Sequence, residues 1–226
     1  MAKKSKAIVK SSTVLTGSVS KARKELVLRG LTALSKGSEE KLSKPKIITL
    51  RSSYKTLSVS EVQSMANVSI REKPYWGFRG HGTINHDYNL KAVSGDVVVV
   101  DSATGLMWYQ SGSYDEMFWD EANEWVEDLN SEGYAGYNDW RLPTVDEAVS
   151  LLESSTINGD LYIDPVFSKN QRWIWTGDMF EDEDEDGSEA AWSVDFGYGG
   201  VYGILVNSYR YVRPVRSVMR LGDLVI

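Results

Sequence analysis

Cysteine is missing from all 226 residues. Disulfides, zinc–thiolate centres and cysteine nucleophiles are therefore excluded, and the absence fits a reducing compartment. Histidine occurs only as His81 and His86. They lie five apart with Asp87 as the one obvious further ligand, so they read as hydrogen-bonded loop histidines rather than a metal site. No run approaches the ~18 apolar residues of a membrane span. The opening MAKKSKAIVKSS is basic but has no apolar stretch of signal-peptide length, so a cytoplasmic location is expected. A G-x-S-x-G elbow is also missing. Gly197, Gly199, Gly200 and Gly203 do not spell G-x-G-x-x-G and no helix follows them, so they read as turn and strand-packing glycines. Carboxylates are so abundant that no single pair argues for glycoside hydrolysis.

Phenylalanine is scarce, at five against eight Trp and twelve Tyr. Tyr and Trp bury area yet keep a hydrogen-bonding tip, which suits a core that opens onto a binding face. Charge is divided unevenly. Residues 1–46 carry 12 Lys and Arg against 3 Asp and Glu, while the other 180 residues carry 13 against 29. A basic arm thus precedes an acidic body. Within the arm, Leu26, Leu28, Leu31 and Leu34 give residues 20–35 a marginal amphipathic helix, interrupted by Gly30. The remainder reads as a flexible, solvated segment or as a contact for an anionic surface or assembly partner.

Residues 47–92 form a mixed lead-in. TLSVSEVQSMA predicts a short helix capped by Ser58 or Ser60, and YWGFRGHGTINHDYNL reads as a Gly- and aromatic-rich loop. From residue 93 the pattern sharpens. GDVVVVD predicts a strand buried on both faces, and LMWY follows it across a turn to make a hairpin over 95–109. Ser113 and Glu116 make a capping box ahead of a helix with Phe118, Ala122, Trp125 and Leu129 on one stripe, ended by Gly133. NDWRLPT then forms a corner. Thr144 and Glu147 cap a second helix, Pro143 restricts the entry, Trp140 is expected in the core and Arg141 on a carboxylate or carbonyls. RWIWT, AWSVDF, VYGILV and YRYVRPVR predict an antiparallel meander, so the fold class is α+β, with two helices packed on antiparallel sheets over 93–217 and a tail at 218–226.

The ordered series VVDSATGLMW, GYNDWRLPT, LYIDPVF, RWIWT, AWSVDF and YVRPVRS resembles the Lcl C-terminal domain family of bacteria. The resemblance implies a fold similar to that of C-type lectins and a role in adhesion or ligand binding, in some members to sulfated polysaccharides. Formylglycine-generating enzymes share a lectin-like fold, but their chemistry implies active-site cysteines that this chain lacks. It departs from the family pattern in showing no export signal and in its strongly acidic loop EDEDEDGSE.

That loop places Asp182, Asp184, Asp186 and Gly187 at positions 1, 3, 5 and 6 of a calcium-loop pattern. Position 12 is Ser193 rather than a bidentate Glu, so the loop reads either as a solvated acidic turn or as a calcium site, and calcium is the one cofactor the pattern admits. For recognition, Trp175, Asp178, Tyr198, Tyr202, Asn207, Tyr209 and Arg210 offer large contact area with polar tips. The expectation is a non-catalytic module that binds a protein or polysaccharide through these residues. Bulk capture of sulfated glycans is disfavoured by the acidic body. An assembly protein docked by residues 1–46 is the alternative, and truncation of that arm separates the two.

Overall fold

The computed structural model describes residues 47–181 and 188–218. The amphipathic patch at 20–35, the aspartates at 182, 184 and 186, and residues 219–226 lie outside them. Within the described residues the α+β class holds, with ten strands and three helices. The strands are β1 (Thr56–Leu57), β2 (Val68–Glu72), β3 (Gly77–Gly82), β4 (Tyr88–Val93), β5 (Asp96–Asp101), β6 (Leu106–Tyr109), β7 (Trp173–Phe180), β8 (Ala190–Asp195), β9 (Gly200–Leu205) and β10 (Val215–Ser217). The helices are α1 (Val59–Gln63), α2 (Trp119–Glu132) and α3 (Val145–Ser150). One sheet has the order β1-β7-β8-β9-β3-β2 and the other β10-β6-β5-β4. All pairings are antiparallel except β1 with β7, which is parallel.

The lead-in is thus part of both sheets. Residues 77–82, expected as loop, form β3, which bridges β9 and β2. The glycines that suggested a loop are needed for close backbone approach. A Cβ at Gly77 would stand 1.9 Å from the Val201 carbonyl oxygen, and one at Gly80 would stand 2.3 Å from that of Ser69. In α1, Ser58 is the N-cap of the two serines expected, and it forms a capping box: Ser58 Oγ accepts from the Glu61 N–H at 3.3 Å and the Glu61 carboxylate accepts from the Ser58 N–H at 2.9 Å.

The 95–109 hairpin forms as expected, with Val99 opposite Trp108. Burial of β5 is narrower than expected. Val98 and Val99 are fully buried in two different core clusters, whereas Val97 remains 40% exposed. The first cluster joins Trp108, Val194, Val201 and Phe78 with the apolar face of α3. The second joins Ala122, Val126 and Leu129 of α2 with Met107, Trp140 and Trp175. Burying side chains of Val or Leu size contributes ~1.5–3 kcal/mol each.

The α2 helix begins at Trp119, not after Ser113. Tertiary backbone pairs claim the intervening residues. Ser113 donates its N–H to Val212 O and accepts the Val212 N–H on Oγ, and Met117 pairs with Arg210. Glu116 accepts from the Trp173 indole instead of capping the helix. Phe118 occupies the cap position, where the Glu121 carboxylate accepts its N–H at 2.8 Å. The buried stripe is Ala122, Val126 and Leu129, with Trp125 half-buried. Gly133 ends the helix in the left-handed region (φ 72°).

The NDWRLPT corner is tied to four elements and to the segment ahead of β1. The Asn130 carboxamide of α2 exchanges two 2.8 Å hydrogen bonds with the Trp140 main chain. Arg141 exchanges two main-chain bonds with Val215 of β10, and its guanidinium grips the buried Glu147 carboxylate at 2.6 and 2.7 Å. Gly177 of β7 donates to Pro143 O. Tyr54 donates its hydroxyl to Leu142 O, and Thr144 donates Oγ1–H to Arg51 O. Thr144 Oγ1 also accepts from the Glu147 N–H, closing the expected α3 capping box.

A second buried carboxylate closes β5. Asp101 accepts from the Asp87 N–H (3.0 Å), the Ala103 N–H (3.1 Å) and the Thr104 hydroxyl, and faces His86 Nδ1 at 2.7 Å. The other His86 nitrogen donates to Ser150 O. Burial pushes the Asp101 carboxyl up, but the bonds from His86, Thr104 and Asp87 outweigh it and hold its pKa below the ordinary 3.8. A depressed carboxylate stabilises the fold above its unfolded pKa, and that contribution is lost as pH falls through the folded value. Urea midpoints measured downward from about pH 5 should therefore fall, and Asp101→Asn should flatten this acid limb. Equal acid slopes in the two proteins would remove Asp101 from the account.

Candidate functional site

Tyr198 and Arg210 meet at one end of the six-stranded sheet, where Trp173, Asp195 and Gly200 lie side by side on β7, β8 and β9. Asp195 shapes the turn that follows it. Its Oδ1 accepts from the N–H groups of Gly197 (2.7 Å) and Tyr198 (3.1 Å), and Gly199 turns the chain with φ 63°. The Tyr198 ring is left 62% exposed. Arg172 packs on the turn so closely that a Cβ at Gly197 would meet its Nε at 2.3 Å, and it pairs with Asp160 at 2.7 Å.

Arg210 reaches the same end from the segment that crosses back after β9. Its guanidinium lies 5.1 Å over the Trp173 ring and 5.9 Å over that of Trp175, a cation–π arrangement. Burial pushes its pKa down, opposed by the Asp195 and Glu116 carboxylates. Tyr209 stacks on Phe118 at 4.4 Å and still exposes 54% of its surface. Tyr202 accepts a hydrogen bond from Arg79 Nε at 3.1 Å, and Arg79 pairs with Glu72 across the β2–β3 hairpin.

Asn207 is exposed beyond the far end of β9. Six strand residues span ~20 Å, so it does not share one patch with Tyr198. Trp175 and Asp178 must be reassigned, because both are fully buried and neither can touch a ligand. Trp175 fills the cluster under α2 and donates its indole N–H to Met117 O. Asp178 binds Arg51 and two main-chain N–H groups.

Several residues of the surface carried no sequence signal of their own. Arg79 and Glu72 join it through β3, which the sequence disguised as loop. Glu116 and Phe118 join it through the segment misread as helix start. Tyr75 and Trp76, exposed between β2 and β3 with their rings edge to face, had a readable signal in the KPYW turn between two strands. Among the described residues no group of three or more His, Cys, Asp or Glu side chains could hold a metal ion. No helix among them is long and apolar enough to cross a membrane.

The profile of one family, described as the Lcl C-terminal domain, matches residues 97–216, slightly over half of the 226. None of the curated proteins matches the chain.

Proposed function

The chain belongs to the Lcl C-terminal domain family, and on that premise we propose that it is a non-catalytic ligand-binding or adhesion module with a C-type-lectin-like arrangement. Its ligand is a protein or a polysaccharide, held at the sheet end built from Tyr198, Tyr202, Tyr209 and Arg210. One observation carries this reading: Arg210 is laid on two indoles of a rigid sheet, and the Tyr198 and Tyr209 rings are exposed on braced loops. Rigid aromatic and guanidinium tips give contact at low entropic cost. The buried carboxylates support the non-catalytic part. Asp101, Glu147 and Asp178 each spend their oxygens on structural partners.

The test is a screen of the full-length protein on an array of neutral and sulfated glycans and in affinity capture of protein ligands. Captured ligands are then titrated against Tyr198→Ala and Arg210→Ala. Loss of affinity by about tenfold or more, with an unchanged melting temperature for Tyr198→Ala, is the expected result. A ligand whose affinity neither substitution alters would sink the assignment of this surface.

A further inference from the structure

A concavity opens between residues 109–114 and 168–171, with Trp125 of α2 as its third wall. Its volume is about 450 Å³, in the ~300–1,000 Å³ range of small-molecule sites. The Tyr109 and Trp125 rings are nearly parallel, 7° apart in plane and 6.1 Å between centroids. Tyr114 stands at the mouth with 89% of its surface exposed. Ser111 and Asn170 add a hydroxyl and a carboxamide group. No Asp, Glu, Lys, Arg or His side chain lines the cleft, although residues 47–226 are strongly acidic.

The walls are held from behind by Arg213, which is fully buried and has no carboxylate partner among the described residues. It donates to Tyr109 O (3.2 Å), Gln110 O, Ser168 O (3.1 Å) and Gln171 Oε1 (3.1 Å), thereby joining the two loops. Its guanidinium lies 5.0 Å over the Phe167 ring, a weak acceptor beside the Nε–H that no oxygen meets. Gln171 in turn donates to Ser113 O at 2.7 Å. Gly112 completes the floor with φ 67°, where a Cβ would stand 2.6 Å from Val212 O. The cleft is therefore preformed, and binding need not order its loops.

Flat ring faces, hydroxyls and carboxamides without a formal charge fit one chemical class. The C–H faces of a pyranose lie on aromatic rings, and its hydroxyl groups exchange hydrogen bonds with Ser and Asn side chains. An anionic ligand would find no cation at the wall, because the hydrogen bonds of Arg213 are directed to protein oxygens. We propose that this cleft binds a neutral saccharide. The inference rests on the binding-module reading but uses a site separate from the Tyr198–Arg210 surface.

The experiment titrates the full-length protein with soluble oligomers of glucose, mannose and N-acetylglucosamine, with a heparin-derived oligomer as the charged control. Calorimetry and tryptophan fluorescence are the readouts. At least one neutral oligomer should saturate the protein at millimolar concentration or below. Trp125→Ala should weaken it by about tenfold or more, and Tyr114→Ala and Asn170→Ala by several-fold. Tyr114 projects into solvent, so its replacement should leave the melting temperature unchanged and separates binding from folding. Absence of saturation by every neutral oligomer, tighter binding of the heparin oligomer, or unchanged affinity in all three variants would overturn the cleft. Neutral-oligomer binding lost in Tyr198→Ala and Arg210→Ala but kept in the cleft variants would also overturn it, while leaving the exposed-surface reading intact.

Discussion

Asp178→Ala is expected to cost about 3–5 kcal/mol, a large share of the ~5–15 kcal/mol that holds a typical domain folded. The Asp178 carboxylate is fully buried on β7 and accepts four hydrogen bonds of 2.7 Å: two from the Arg51 guanidinium and one each from the main-chain N–H groups of Lys55 and Val145. Burial works against the Arg51 charge, but Asp178 and Asp146 more than compensate and raise its pKa above the ordinary value. Removing Asp178 leaves a half-buried guanidinium with one carboxylate and strips two N–H groups of their acceptor, at ~1–3 kcal/mol for each unsatisfied group. Asp178→Asn should also destabilise, because its NH₂ would confront donors where the carboxylate offers only acceptors. Urea denaturation measures both. In a cycle with Arg51→Met the double variant should lose less than the sum of the singles. A loss below about 1 kcal/mol for Asp178→Ala would show that water replaces these bonds without penalty.

Trp140→Ala should be comparably severe, at about 3–5 kcal/mol. The ring is 2% exposed, packs edge to face on Tyr134, and donates its indole N–H to Tyr134 O at 3.0 Å. Its main chain holds Asn130, so the cavity would open where α2 meets the corner. Trp140→Phe keeps most of the volume and loses the indole bond, so it should cost nearer ~1 kcal/mol plus a smaller cavity term. Denaturation midpoints that rank the two substitutions equally would mean that filling the volume matters less than the N–H.

Elements specified by local chemistry were readable. The caps at Ser58 and Thr144, the Gly133 stop, the hairpin at 95–109 and the alternation in AWSVDF all depend on residues within a few positions of one another. Arg141 was expected on a carboxylate or on main-chain carbonyls, and it meets both, Glu147 and Leu142 O, because a capping box places that Glu six residues away on the adjoining helix turn. Where contacts are remote, the reading failed. Strand β3 looks like loop because its glycines answer to Val201 and Ser69 on other strands. Strand β4 alternates Tyr88, Leu90 and Ala92 with Asn89 and Lys91, but it is largely exposed and follows the Gly-rich run that reads as loop. Ser113 and Glu116 form a valid capping pattern, but Val212 and Trp173 compete for both. Trp175 and Asp178 have the side-chain chemistry of a recognition surface, but the α2 cluster covers the first and Arg51 the second. The cleft was illegible for the same reason, since its two walls are joined by remote contacts, through Arg213 and between Gln171 and Ser113.

The pairing of β3 with β9 bears on how the chain avoids self-association. The family match begins at Val97, yet β9 inside it is flanked by β3, which lies outside it. Without the residues upstream of the match, β9 would present an unsatisfied row of main-chain donors and acceptors, a template for joining another copy edge to edge. The short β2–β3 hairpin therefore also serves as a solubility guard. Its outer strand carries Arg71 and Glu72, charges of the kind that blunt a sheet margin against polymerisation.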